Sequence, residues 1–307
     1  MLAPLLMPVL MALLFMGSGS SQARAADANM TLFQVAFSSA MLSGVNQNDV
    51  IAAMKVWTGL IAKQRQVAVD PEPQVLSGVD KISQKLAARE LDAVILTTPE
   101  YWRLASAHQF SDYFLAVQGG KTEVEYLLLT RLDKPVRSLA DLKGATLICH
   151  EGPRASLSLP WLNLALAEQH LEPAGRFFSQ VLTRNKASAV VLPVFFQQKD
   201  ACLVDRYAYE TICELNPQIG KQLRVTAVSP SFIPMLFCMR AGYSPGTKEK
   251  ILEALADLHS SPSGQQVLAV LQFERVVATN TTCLARSLAL LSAADAMERN
   301  SLERPKP

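Results

Sequence analysis

ACLVDRYAYETICELNPQ, residues 201–218, changes character abruptly at its fifth residue. Ala201 to Val204 is an apolar run of strand length. Asp205 follows with no polar lead-in, and Tyr207, Tyr209 and Glu210 then continue in a helical pattern. A carboxylate at the C-terminal tip of a buried strand is either paired or used, because an isolated buried charge is too costly to keep. In an open parallel sheet that tip borders the crevice where ligands sit, beside the N-terminus of the next helix. A local role is equally open: Asp205 suits the N-cap of the helix carrying Tyr207–Leu215, and capping does not exclude ligand contact.

Upstream and downstream, strands alternate with helices. Thr31–Phe37 is a run of strand length, and Asn46–Lys63 carries Val50, Met54, Trp57 and Ile61 at helical spacing. Gln66–Val69 reads as a second strand, Ser77-Gly-Val-Asp80 as the start of a helix through Ala88, and Leu91–Leu96 as a third strand. The pattern repeats: Glu125–Thr130, then SLADLKG (138–144), Thr146–Cys149, a helix over 158–169, Phe177–Leu182, a helix over 186–198, and the opening run 201–204. Met235–Arg240 is a further strand, with helices near 247–259 and 264–271. Strands apolar on both sides, in βαβαβ order, argue α/β lobes built on mostly parallel sheets flanked by helices. No linker separates the two units, so they are joined by crossing strands.

Composition narrows the function. The chain has 307 residues, half of them apolar and 18% charged, with a net charge of +2. No block of Lys or Arg exists, which argues against nucleic acid or an anionic membrane as partner. Residues 1–25 read as a signal peptide: an apolar run from Leu2 to Met16, small residues, then Ala23-Arg24-Ala25 for cleavage. The exported chain is expected in the periplasm, as a monomer. Five cysteines are then eligible for disulfides, but spacing fixes no pairing. No G-x-S-x-G, H-E-x-x-H, phosphate loop or dinucleotide turn is present, and the four histidines show no metal-ligand spacing. The reading is therefore neither an enzyme nor a metalloprotein, and it calls for no cofactor.

The strand ends collect hydroxyls, cations and one carboxylate. They present Ser38 and Ser39; Thr98 as an N-cap with Tyr101 beyond it; His150 through Glu151, Arg154 and Ser156; Lys186 at a helix start; and Asp205. Such a set fits a small anionic solute held between the units.

Three segments carry a family resemblance: SLADLKGATLICHEGP (138–153), KDACLVDRYAYETICELNPQIGKQLRVTAVSPSFIPMLFCMR (199–240) and SPSGQQVL (261–268). The chain resembles the type 2 periplasmic binding proteins, specifically the binding components of phosphate/phosphite/phosphonate ABC importers. The likeness implies a Venus-flytrap fold, with lobe 1 from residues 26–118 plus 236–307, lobe 2 from 119–235, and two hinge strands. It implies capture of a solute for an inner-membrane ABC permease or, alternatively, signalling to a membrane receptor or sensor kinase. By the same likeness Arg154–Ser158 lies where the oxyanion is held, Tyr101, Ser38, Ser39 and Thr98 complete that end, and Asp205 faces a ligand amino group. GPRASLS replaces a hydroxyl-rich family run, and Arg184-Asn185-Lys186 replaces a turn with an oxyanion-binding His. Both changes favour a more strongly anionic solute, with Arg154 and Lys186 as its cations.

Overall fold

A computed structural model describes residues 32–243 and 245–303. The signal peptide expected over residues 1–25 lies outside the described residues. The strands are β1 (Val35–Ser38), β2 (Gln74–Leu76), β3 (Ala93–Thr97), β4 (Phe110–Val117), β5 (Tyr126–Arg131), β6 (Thr146–His150), β7 (Gln180–Arg184), β8 (Ala201–Asp205), β9 (Leu223–Val228), β10 (Met235–Arg240) and β11 (Arg275–Thr279). They form a six-stranded sheet in the order β11-β4-β10-β3-β1-β2 and a five-stranded sheet in the order β7-β6-β8-β5-β9.

Each sheet is parallel at β1, β2 and β3 or at β6, β7 and β8, and antiparallel where the returning strands β10 and β5 join. Both faces are covered. In the first lobe Val35 and Phe37 meet Val50, Met54 and Trp57 of the helix Gln47–Arg65. Ala36 and Val94, pointing the other way, meet Ile82, Leu86 and Leu104. In the second, Leu128 and Leu203 pack on Trp161, Leu162 and Leu166, while Leu127, Cys202 and Val204 pack on Val190, Val191 and Val194. The two-sided burial read from the apolar runs is what these strands have. All five cysteines are free, and burial pushes the Cys149 thiol up to about 12.

The chain passes between sheets through residues 118–125 and returns through 229–234. Val124 and Phe232 join the two passages, each N–H donating to the other's carbonyl at 2.8 and 2.9 Å. The Pro234 carbonyl accepts from the Thr98 N–H of the first lobe and from Ser156 Oγ of the second, both at 2.8 Å.

Several elements differ from the sequence reading. Gln66–Val69 is not a ladder strand: Val69 makes one isolated bridge to Phe33, and β2 begins at Gln74. Pro71 and Pro73 lie between, and neither has an N–H to donate to a ladder. The helix Val79–Ala87 starts after Gly78 without the expected side-chain cap. The last helix, Ala285–Glu303, does not keep to the first lobe, where the expected 236–307 boundary puts it. Leu284 just before it packs in the first lobe's core, whereas Leu290 and Leu291 pack with Trp161 in the second lobe's core. Trp102 Nε1 donates to Asp295 Oδ2 at 2.9 Å, and the Ile233 N–H to Ser287 Oγ at 2.8 Å.

This straddling helix makes a prediction. Leu290→Ala should lower stability by about 2–5 kcal/mol, the range for truncating a buried leucine. Urea unfolding would read it. A loss under about 0.5 kcal/mol, the level of an ordinary surface change, would mean the helix is not docked on the second core.

Candidate functional site

The strand ends facing the crevice are those of β1, β3 and β4 in the first lobe and of β6, β7 and β8 in the second. Tyr126 opens β5 opposite Asp205, which closes β8. At the centre lies Asp205, 2% exposed. Its Oδ1 accepts the Ala208 N–H at 3.0 Å, so it is the N-cap of the helix Arg206–Leu215. Arg154 Nε approaches the same oxygen at 3.9 Å, and His150 Nδ1 lies 3.5 Å from Oδ2, at the edge of hydrogen-bonding reach. Burial alone would raise the Asp205 carboxyl. His150, the Arg154 charge and the Ala208 N–H overcome it and hold the group below the usual carboxylate range.

Arg154 is held from three sides. It follows Gly152 in the short helical turn Pro153–Ala155, and its side chain is 16% exposed. The guanidinium carbon lies 5.9 Å from the Tyr207 ring centroid, within range of a cation–π contact. Its carbonyl accepts from the Tyr126 hydroxyl at 2.8 Å. Burial keeps that phenol far above its usual pKa, so Tyr126 is a neutral donor. Gly119 makes room for Tyr207: its φ is +59°, and a Cβ there would stand 2.6 Å from the ring.

Beside Arg154 a cavity of about 510 Å³ opens between the lobes. The passage 117–125, Arg206 and Tyr207 wall one side, and Arg275 and Val277 of β11 the other. Arg206 pairs with Glu125 at 2.5 Å and with Glu210 at 3.5 Å. A second cavity, about 100 Å³, lies inside the first lobe's apolar core and has no charged lining.

The other expected residues have distinct fates. Ser38 caps the turn after β1 and donates its hydroxyl hydrogen to Glu100. Thr97, not Thr98, is the N-cap of the helix Thr98–Leu104; its N–H and Oγ1 both donate to Glu100 Oε2, at 2.9 and 2.8 Å. Thr98 is one residue inside, fully buried, and its Oγ1 donates to the Ile233 carbonyl at 2.7 Å. Ser156 likewise donates to Pro234. Tyr101, 6% exposed, is core: it packs with Ile82, Leu86 and Leu104 and faces Tyr113. Its ring turns into the first lobe's core, 5.7 Å from the Phe110 ring. Glu151 is exposed, with its N–H on the Arg184 carbonyl. Ser39 is half-buried, and Lys186 is exposed at the N-cap of the helix Ala187–Phe195. Thus Arg154 and Asp205 come together. Thr98 and Ser156 are joined through Pro234, and Tyr101 is withdrawn from the site. Tyr126 and Tyr207 were the residues that sequence reasoning missed, although both stand within two residues of a strand end; His150, named there among the strand-end residues, lies beside Asp205.

The family model for ABC transporter, phosphonate, periplasmic substrate-binding protein matches residues 40–282, well over half the chain. The chain belongs to this family. It is a transporter substrate-binding family, not an enzyme family. Solved structures share the fold. XAC2383 from Xanthomonas citri, bound to ATP, has 18% identity and a TM-score of 0.64, over 89% of this chain and 100% of that one. PhnD1 from Prochlorococcus marinus, in complex with methylphosphonate, has 13% identity and a TM-score of 0.59, over 87% and 99%. The binding protein component of an ABC phosphonate transporter from Pseudomonas aeruginosa has 16% identity and a TM-score of 0.54, over 91% and 100%. No curated protein sequence matches. Among the described residues of this phosphonate-family protein, no helix is long and apolar enough to cross a membrane, and no cluster of metal-ligating side chains occurs.

Asp205 gives a pH prediction. A carboxyl lowered in the folded state adds stability above its unfolded pKa of about 3.9 and loses it as pH falls through the folded value. Asp205→Asn keeps the capping oxygen but removes the charge facing Arg154 and His150. It should cost about 1.5–3 kcal/mol at pH 7, and the gap to wild type should shrink below about pH 4. Urea midpoints at the two pH values would check this. A gap independent of pH would remove the buried charge from the account.

Proposed function

We propose that this protein captures a small anionic solute, phosphonate-like or another oxyanion or carboxylate, between its lobes and delivers it to an inner-membrane ABC permease. Family membership supports the transport setting. The observation that carries the ligand class is Arg154: a guanidinium fixed over Tyr207 at the wall of the interlobe cavity. A delocalised cation with a planar fork of donors is the side chain best suited to an oxyanion, and a partly dry setting strengthens the attraction.

Closure supplies the signal to the permease. A solute that touches both lobes stabilises the closed arrangement over the open one by the difference of its contacts in the two. The lobes approach at the mouth of the crevice, where the Asn185 carbonyl oxygen lies 3.7 Å from the position of a Cβ on Gly44. Lys186, next along, is exposed at the start of the helix Ala187–Phe195 and supplies a cation beside that contact.

Thermal unfolding of the purified protein against phosphate, phosphite, alkylphosphonates, sulfonates, dicarboxylates and amino acids tests the reading. A ligand at about 100 times its dissociation constant adds ~2.7 kcal/mol, a shift of several degrees. Arg154→Ala should weaken the responding anion by about tenfold or more. A response confined to neutral or cationic compounds, or an undiminished one in Arg154→Ala, would overturn it.

A further inference from the structure

Resting on that reading, we infer that Arg154 is a built-in counter-cation for Asp205, so that the site selects anions carrying no ammonium group of their own. The carboxylate's surroundings are filled from inside the protein. Oδ1 takes the Ala208 N–H at 3.0 Å and has Arg154 Nε at 3.9 Å, while Oδ2 has His150 Nδ1 at 3.5 Å. At 2% exposure, Asp205 offers solvent no face that a second cation can reach. A ligand ammonium would have to expel the guanidinium first.

Expulsion is opposed on both sides of the guanidinium. The Tyr207 ring covers it, the ring being seated over Gly119, and the Tyr126 hydroxyl fixes the Arg154 backbone at 2.8 Å. Arg154 Nε is buried and makes no hydrogen bond, which leaves the cation attracted to Asp205 by charge at close range rather than by a directed bond. A displaced guanidinium would move into a cavity whose wall charges are already balanced. Lys121, Arg206 and Arg275 share its wall and already match the three glutamates there in number, with Arg206 paired to both Glu125 and Glu210. Placing an ammonium and the freed Arg154 together in that space adds like-charge repulsion to the lost pair. An anion without an ammonium meets none of these costs: it approaches the cation that Asp205 holds in place. Arg154 is thus a specificity-determining residue, and removing it should turn Asp205 into an ammonium acceptor.

The test compares wild type, Arg154→Ala and Arg154→Ala/Asp205→Asn by thermal unfolding with ethylphosphonate and 2-aminoethylphosphonate, which differ in the amino group. Wild type should prefer ethylphosphonate by about tenfold. Arg154→Ala should reverse the order, and the double variant should lose the reversal. Equal affinity of wild type for both compounds, or an unchanged order in Arg154→Ala, overturns the inference.

If neither phosphonate shifts any variant, the fault lies with the ligand class proposed above, and millimolar methylguanidinium decides the counter-cation question alone. It should raise the midpoint of Arg154→Ala while leaving wild type and the double variant unchanged. No rescue would refute the counter-cation role whatever the natural solute is. Arg154→Met, which keeps the stem against Tyr207, serves if the alanine variant folds poorly.

Discussion

The two lobes share one acceptor. The Pro234 carbonyl takes the Thr98 N–H from the first lobe and the Ser156 hydroxyl from the second. A carbonyl oxygen has two lone pairs, and here each is given to a different lobe. The neighbouring residue extends the joint: the Ile233 carbonyl takes Thr98 Oγ1 and its N–H reaches Ser287 of the last helix. Proline at 234 suits this role, since it brings an acceptor without a donor that would need its own partner. These bonds set where the end of β3 stands against the turn that carries Arg154. The position of the site's cation therefore follows from a backbone contact that involves no ligand.

The charge at the centre obeys a similar economy. A buried carboxylate is tolerable only with several partners, and Asp205 has a backbone N–H, an imidazole nitrogen and a guanidinium around it. None of the contacts to His150 and Arg154 is short. The arrangement behaves as a loosely packed cluster of charge in which each member lowers the others' cost, rather than as a rigid ion pair. Such a cluster stays responsive: an anion that draws on Arg154 changes the field on Asp205, and with it the cap of the helix Arg206–Leu215.

The lobes were legible in the sequence because β3, β5, β6 and β8 are apolar on both faces, a pattern that survives without tertiary knowledge. Asp205 was legible for the converse reason, a charge with no polar lead-in. β4 was not. Ser111 and Asp112 interrupt FSDYFLAV near its start, and its first four residues are only half-buried, so only the short run Phe114–Val117 marks it. The strand at Gln66–Val69 was misplaced because Val67 and Val69 are buried and alternate, yet the prolines that follow postpone the ladder to Gln74. The site was half legible. Which residues stand at strand ends can be read from the chain. Whether a hydroxyl there is free cannot, since the acceptors of Thr98 and Ser156 lie 135 and 78 residues away. Tyr207 gave a weaker signal still, because its place over Arg154 depends on Gly119 in the opposite passage.

Arg154 and Ser156 lie two residues apart in one short segment, and this ties recognition to lobe geometry. Ser156 fixes that segment to the returning passage, while Arg154 points from it toward the cavity wall. A solute held by Arg154 alone has the same contacts whether the lobes are open or shut, and so shifts no population however tightly it binds. Only a solute that also reaches the first lobe gains contacts on closing, and that lobe supplies Arg275 and Val277 to the same cavity.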